Sequence, residues 1–296
     1  MRVLLIGAKG LLGQALAATF STEDLVAVDR DVIDITDKVA LQKFCHEVRP
    51  EIVVNAAAYN AVDEIEKNDE AAKQAFVINA EAVGYLAKAS IENKALLIHF
   101  STDYVFDGAK DSPYIEADHP KPISVYGRSK LGGEEAILSL AGDGLKYYII
   151  RTSRLFGKSS GAGKKTFVDI VLEAAAQKSE LQFIDDEIAS PTFVSDLAMA
   201  VKEMLMSRPA FGVYHRTNDG YCSWYELAKT VLNESGAYSI NHATPDRKYI
   251  NLRPIASKDL PRPARRPAYS VLQSTKLAPL RHWREALREY IISNHL

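Results

Sequence analysis

Residues 2–7, RVLLIG, place an unbroken apolar run ahead of a glycine, with no alternation between faces. Such a run fits a strand covered on both sides. Over residues 11–20 the apolar positions recur at helical spacing instead. The exchange then repeats. DLVAVDR predicts a second strand, and DKVALQKFCHEV an amphipathic helix with Asp37 in its first turn and Pro50 beyond its end. EIVVNAAA predicts a third strand and residues 69–93 a long helix. ALLIHFST follows as a fourth strand, GRSKLGGEEAILSLA as a helix and KYYIIRTS as a further strand. A βαβαβ order of this kind predicts an α/β fold, a Rossmann-like doubly wound parallel sheet with ligands at the carboxyl ends of its strands.

The second half is less regular. FVDIVLEAAAQ, VSDLAMAVKEMLM, SWYELAKTVLNESG and HWREALREYI read as helices, and LQFID and GVYHRT as short strands. RPIASKDLPRPARRPAY is a basic, proline-rich extended stretch. The expected division is a dinucleotide-binding domain over 1–150, with about 165–205 returning to it, and a smaller α/β substrate-binding lobe over most of 151–296.

Composition narrows the function. The chain has 296 residues, enough for one large domain with a lobe. A formal net charge of −2 disfavours bulk attraction to nucleic acid or anionic membrane. Two cysteines, Cys45 and Cys222, build neither a disulfide framework nor a CxxC metal pair. The opening MRVLLIG runs into glycines too soon for a signal peptide or membrane anchor, so a reducing cytoplasm is expected.

Chemistry concentrates at the strand ends. GAKGLLG places Gly7, Gly10 and Gly13 between a strand and a helix. Glycines there let the backbone approach a pyrophosphate seated on the helix N-terminus. Asp29 and Arg30 end the second strand, where an acid favours the free 2′-hydroxyl of NAD and an arginine the 2′-phosphate of NADP. The expected cofactor is NADP(H), with NAD(H) as a second option.

Two Tyr-x-x-x-Lys pairs compete for the catalytic role, Tyr126/Lys130 in YGRSK and Tyr225/Lys229 in YELAK. Only the first follows a sheet-end STDYVF. Reduction of a ketone builds negative charge on the carbonyl oxygen, which must meet a proton donor. An ammonium about 5 Å from the phenol, at an effective dielectric of about 20, contributes roughly 3 kcal/mol and would draw Tyr126 toward neutral pH. Thr102 would orient the same oxygen.

GAKGLLG, NAAAYNAVDEIE, STDYVFDG, YGRSK and RTSRLFG together resemble the extended short-chain dehydrogenase/reductases, and within them the dTDP-4-dehydrorhamnose reductase family. The resemblance continues through IASPTFVSDLA and RPAYSVLQSTKL, so it spans nearly the whole chain. It implies reduction of the C4 ketone of a dTDP-linked 6-deoxyhexulose by a reduced nicotinamide cofactor, giving dTDP-L-rhamnose, a precursor for polysaccharide biosynthesis. It implies catalytic Thr102, Tyr126 and Lys130, the latter two also touching cofactor. Gly7, Gly10, Leu11, Leu12 and Gly13 would hold the pyrophosphate, and Asp34 and Ile35 would lie near the adenine. Ala56, Ala57, Ala58 and Tyr59 would run along the cofactor, and Val62, Asp103 and Tyr104 near the sugar.

Two positions depart from the family pattern. Arg154 stands where the family carries a sugar-packing Trp. Gln14 and Ala15 stand where some members place an acid that helps bridge a dimer through metal, so no metal is expected and the state is monomer or homodimer. In the basic stretch, Arg265 and Arg266 are expected to grip the substrate diphosphate, since guanidinium matches phosphate bidentately.

Rival functions remain. A 4,6-dehydratase needs an acid where Tyr104 stands, and an epimerase usually has small residues in place of STDYVF. A reductase or epimerase for another nucleotide sugar, or an NADP-binding regulatory subunit of the methionine adenosyltransferase type, keeps the same fold.

Overall fold

The computed structural model describes residues 1–158 and 165–295. Six parallel strands form the central sheet: β1 (Arg2–Ile6), β2 (Asp24–Val28), β3 (Ile52–Asn55), β4 (Leu96–Thr102), β5 (Lys146–Thr152) and β10 (Gly212–His215). Their order is β2-β1-β3-β4-β5-β10. The order reverses between β1 and β3, and that point is where a doubly wound sheet opens a crevice.

Alternation along each strand supplies both faces of the sheet. Val3 and Leu5 pack with Leu12 and Leu16 of α1 (Leu11–Thr19) and Leu197 and Val201 of α8 (Val194–Ser207). Leu4 and Ile6 point the other way, onto Leu41 of α2 (Lys38–Val48), Val83 and Leu86 of α5 (Ala82–Glu92) and Ile137 of α6 (Val125–Leu138). Full burial of each such side chain contributes about 1.5–3 kcal/mol, which is why these strands carry continuous apolar runs.

The helix expected over 69–93 is interrupted. It forms as α4 (Asp69–Phe76), a π-helical turn over Val77–Glu81, and α5. Asn79 lies in the widened turn, fully buried. Such turns cluster at functional sites because they re-aim one side chain. A short helix absent from the sequence reading, α3 (Val62–Lys67), precedes it.

The lobe has its own core. Helices α7 (Phe167–Gln177), α9 (Trp224–Glu234) and α10 (Trp283–His295) enclose Phe156, Val171, Leu227, Trp283 and Leu287. A parallel sheet ordered β13-β14-β7, formed by Tyr238–Ile240, Lys248–Ile255 and Glu180–Ile184, packs with them. Three two-residue pairings knit the lobe to the sheet side: β6 (Leu155–Phe156) with β9 (Thr192–Phe193), β8 (Ile188–Ala189) with β12 (Cys222–Ser223), and β11 (Asn218–Asp219) with β15 (Leu280–His282).

The 165–205 segment, expected to return to the sheet, divides between the two halves. Helix α7 turns its apolar face to α9 and stays in the lobe; α8 packs on α1, and β10 then joins the sheet edge beside β5. Among the described residues no helix is long and apolar enough to cross a membrane.

The proline-rich stretch crosses between the two halves as a strap. Arg262 pairs with Glu187 on the lobe side, and Arg266 pairs with Asp63 of α3 at 2.7 Å. Ile188 N–H donates to the Ala268 carbonyl at 2.7 Å, fastening the strap end to β8.

Candidate active site

The glycine loop is shaped by contact as well as by torsion. Gly7 has φ 82°, in the left-handed region that favours glycine. A Cβ on Gly13 would stand 2.0 Å from the Gly7 carbonyl oxygen, so any side chain there would push α1 off the loop. Gly10 begins α1 with no side-chain cap and no acid in the first turn. The helix therefore offers uncapped backbone donors and the positive end of its dipole.

A cavity of about 740 Å3 opens beside this loop, walled by Gly7, Gly10, Asp34, Ile35 and the 56–59 segment. Asp29 and Arg30 line it too. The Asp29 carboxylate accepts from Lys9 N–H at 2.9 Å and Arg30 N–H at 2.8 Å, so it closes its own loop. The Lys9 ammonium turns away to Asp31 at 2.8 Å. Asp34 is held below the usual carboxylate range by hydrogen bonds from Thr36. Tyr59 is fixed by Asn79, whose amide accepts from Tyr59 N–H and donates to Tyr59 O, both at 2.9 Å.

A second cavity, of about 630 Å3, shares Gly10, Ala56, Ala57 and Ala58 as walls with the first. Leu11, Leu12, Val62, Thr102, Asp103, Tyr104, Tyr126, Lys130, Arg154 and Arg266 line it. Two expected residues are not brought here. Gly13 serves packing behind the loop, and Arg265 is exposed on the outer side of the strap and lines neither cavity. Alternation along the strap turns Arg266 inward and leaves Arg265 out.

Helix α6 is driven close to β4. Ser124 caps it by accepting from Gly127 N–H at 3.1 Å, and Glu66 accepts from Val125 N–H at 2.8 Å. A Cβ on Gly127 would lie 2.2 Å from the Tyr104 carbonyl oxygen. This close approach sets the Tyr126 ring edge-on to Tyr104, with centroids 5.8 Å apart. Thr102 Oγ1 donates to Asp103 Oδ1 at 3.1 Å, and Ser270 Oγ donates to Asp103 Oδ2 at 2.6 Å. Burial pushes Asp103 up to about 6 despite those donors and the Arg154 charge.

The expected drawing-down of Tyr126 by Lys130 is not what the geometry produces. Burial pushes the phenol above its ordinary value; the Thr102 hydroxyl opposes the shift, and Asp103 and Tyr104 add to it. The Lys130 ammonium is directed elsewhere, to the Phe100 carbonyl at 2.7 Å and toward His99 Nε2 at 3.5 Å. Burial pushes Lys130 itself down to about 8, against the attraction of Glu134. Spacing on a helix brings two side chains to one face, but it does not aim the longer one at the shorter. Tyr225 and Lys229, by contrast, line neither cavity, and Tyr225 packs against the lobe core.

Behind Lys130 lies an unanticipated polar core. Glu134 pairs with Arg151 at 2.6 Å and accepts from Ser101 Oγ at 2.5 Å, all three groups buried. Asn79 Nδ2 donates to Ser129 Oγ at 3.0 Å, tying the π-helical turn to α6. His99 sits fully buried between Asn55 and Lys130. The one signal for these residues was their polarity within apolar runs, His99 in LLIHFST and Arg151 in KYYIIRTS. A buried polar group must find partners.

Arg154 occupies a left-handed conformation, φ 43°. Its guanidinium donates to the Cys222 and Glu187 carbonyls, each at 2.7 Å, and lies 4.0 Å over the Trp224 ring. Trp224 lines the second cavity, as does Glu187. Glu187 in turn accepts from Trp224 Nε1 at 3.2 Å and from Arg262. Among the described residues no cluster of three or more His, Cys, Asp or Glu side chains could hold a metal ion.

A parallel α/β sheet, an uncapped helix behind a glycine loop, and a Thr-Tyr-Lys set on the adjoining wall define a short-chain dehydrogenase/reductase of the extended class. The profile of the RmlD substrate binding domain matches residues 1–295. The chain belongs to the dTDP-4-dehydrorhamnose reductase family, and is an oxidoreductase. It is 38% identical to dTDP-4-dehydrorhamnose reductase of Burkholderia thailandensis, over 94% of this chain and 92% of that one. It is 37% identical to the spore coat polysaccharide biosynthesis protein SpsK of Bacillus subtilis, over 98% and 96% respectively. A solved dTDP-4-dehydrorhamnose reductase from Bacillus anthracis, in complex with NADP, is 32% identical and superposes with a TM-score of 0.88 over 99% of both chains.

Proposed function

We propose that this protein uses NADPH to reduce the C4 ketone of a nucleotide-linked 6-deoxy-4-keto sugar, with dTDP-4-dehydro-L-rhamnose as substrate and dTDP-L-rhamnose as product. The observation that carries the reading is the pair of adjoining cavities, one along the glycine loop and one walled by Thr102, Tyr126 and Lys130. The dTDP-4-dehydrorhamnose reductases among its relatives, one of them solved with NADP, support the same reaction.

The residues fit such a cofactor. The uncapped α1 N-terminus and the loop that tolerates no Cβ at Gly13 suit a pyrophosphate. Asp29 already accepts two backbone donors, and Arg30 is exposed beside it at the cavity edge, which favours a 2′-phosphate over a free hydroxyl. When bound, the reduced nicotinamide supplies the hydride. The remaining work falls to the chain. The Thr102 hydroxyl rotates from Asp103 to donate to the sugar ketone oxygen. Tyr126, held protonated by its burial, gives its phenolic proton to that oxygen as charge builds there. Arg266 lines the second cavity and, once released from Asp63, would meet the diphosphate. Arg154 and Trp224 form one stacked wall for the sugar.

The test is turnover by the purified protein. With NADPH and dTDP-4-dehydro-L-rhamnose, cofactor oxidation should match the dTDP-L-rhamnose formed. Tight NADP binding without turnover of any nucleotide-linked ketosugar would contradict the reading and favour a regulatory role. Faster turnover of another ketosugar would revise the sugar alone.

A further inference from the structure

Tyr126 sits in the first turn of α6, and the first N–H groups of a helix have no partner within it. Arg128 N–H makes the first intrahelical bond, to the Ser124 carbonyl at 3.0 Å. Ser124 Oγ accepts from Gly127 N–H at 3.1 Å, so that donor is satisfied locally. Val125 N–H, one residue before Tyr126, is met from outside the helix. Its acceptor is Glu66 Oε2 at 2.8 Å, 59 residues earlier in the chain and on α3. Helix α3 is itself firmly held. Ile65 is buried, and Asp63 accepts from Ala264 N–H of the strap at 3.2 Å. The helix follows closely on the 56–59 segment that walls both cavities, and its Val62 lines the second one.

We propose that Glu66 is a positioning residue for Tyr126: its carboxylate pins the first turn of α6 and so sets where the phenol stands in the second cavity. The proposal rests on the reading that Tyr126 is the proton donor. Gly127, one residue after Tyr126, is pressed on the loop after β4, where a Cβ would lie 2.2 Å from the Tyr104 carbonyl oxygen. Tyr126 therefore lies between a residue fastened to α3 and one packed on that loop. Ser129 Oγ donates to the Tyr126 carbonyl at 2.8 Å and secures the following turn, so Glu66 supplies the hold ahead of the ring. Because α3 continues from the segment that lines the cofactor cavity, this one hydrogen bond refers the phenol to the cofactor side of the site. Proton donor and hydride donor must meet the same carbonyl group, and a misplacement of about 1 Å can slow such a step about 10²-fold. Placement needs only the acceptor oxygen. The negative charge suits the positive end of α6 but does not locate the ring.

Steady-state kinetics on the full chain, with NADPH and dTDP-4-dehydro-L-rhamnose, read the effect. Glu66→Ala should lower kcat by about 10–10²-fold and leave KM for the nucleotide sugar and NADPH affinity within about twofold. Glu66→Gln keeps an acceptor oxygen and should restore kcat to within about threefold of wild type. Val125→Pro removes the donor instead. Proline suits the first position of a helix, and Ser124 before it is already extended, with φ −120° and ψ 158°. This variant should lose kcat as Glu66→Ala does, and the double variant should be no slower than the slower single one. Asp37→Ala, which strips the side-chain cap from α2, should lower the melting temperature and leave kcat unchanged. Without substrate, the ζ-carbon resonance of Tyr126 in protein made with 13C-labelled tyrosine, assigned through Tyr126→Phe, should move in Glu66→Ala and Val125→Pro and return in Glu66→Gln. Wild-type kcat in Glu66→Ala or Val125→Pro would overturn the proposal. So would an equal loss in Glu66→Ala and Glu66→Gln, a matching loss in Asp37→Ala, or a Tyr126 resonance that stays put. Should Glu66→Ala fail to fold, Val125→Pro and Glu66→Gln decide. The expected resonance shifts in a protein that never oxidises NADPH would refute the reductase reading and not the role of Glu66; turnover indifferent to Glu66→Ala and Val125→Pro would refute that role alone.

Discussion

Arg154 uses both arms of its guanidinium on backbone carbonyls and its face on Trp224. Hydrogen bonds from a charged group contribute about 1.5–3 kcal/mol each, and a stacked cation about 0.5–2 kcal/mol. Arg154→Ala would therefore unpin the 222 and 187 segments and free the Trp224 ring. The expected outcome in steady-state kinetics is a rise in KM for the nucleotide sugar of about tenfold or more, with a smaller change in kcat. Arg154→Lys should not restore KM, because one ammonium cannot span two carbonyls and cover a ring. The identity of this residue was plain in RTSRLFG, but its partners were not, since Cys222 and Glu187 come from distant segments. The same limit applied to Lys130. Spacing identified the pair with Tyr126, while the aim of the ammonium depends on the Phe100 carbonyl, which no side-chain pattern reveals.

At the scale of elements, the periodicities of the first half were sufficient for the sheet. Continuous apolar runs became β1, β3, β4 and β5 because each must cover two faces with alternate side chains. The second half was harder to read. The β14 strand is half polar, and α3 follows NAAAY with no stop signal, so neither has a local signature. The spacing between α6 and the loop after β4 was also hidden, since it depends on the absence of a Cβ at Gly127. Gly127→Ala should lower stability by about 1–3 kcal/mol, because an added methyl there must move backbone. It should also reduce kcat by withdrawing Tyr126. Gly142→Ala, where nothing lies within 4 Å of the added carbon, should leave both unchanged. Denaturant melts and turnover of the two variants make the comparison.

At the scale of the whole molecule, two junctions each yield an expectation. At the sheet edge, His215 of β10 is held down at about 4 by burial and by the Arg151 charge. Burial pushes Glu116 up, but hydrogen bonds from Thr275, Ser274 and His215 N–H outweigh it and leave Glu116 at about 2. An unfolded histidine takes up its proton near 6.5, well before the folded one does. The His215 contribution is therefore complete above pH 6.5 and is lost as pH falls from 6.5 to about 4. Across that window Glu116 stays ionised. The melting temperature should fall by several degrees between those values, and His215→Gln should flatten the decline. At the strap, Arg266 holds Asp63 of α3 at 2.7 Å, linking the lobe segment to the sheet side. Asp63→Asn should release Arg266 and weaken the strap while leaving the cation in place. Nucleotide-sugar affinity should then hold or rise, whereas Arg266→Ala should lower it, by calorimetric titration.

The central claim is that Tyr126 delivers a proton to a sugar ketone in this cavity. Single-turnover oxidation of NADPH by dTDP-4-dehydro-L-rhamnose, in wild type, Tyr126→Phe and Tyr225→Phe, tests it most directly. Loss of the phenolic donor should slow the step by about 10²–10⁴-fold with NADPH affinity unchanged, while Tyr225→Phe should stay within about twofold of wild type. A Tyr126→Phe protein that turns over like wild type, or an equal loss in both variants, would contradict the account.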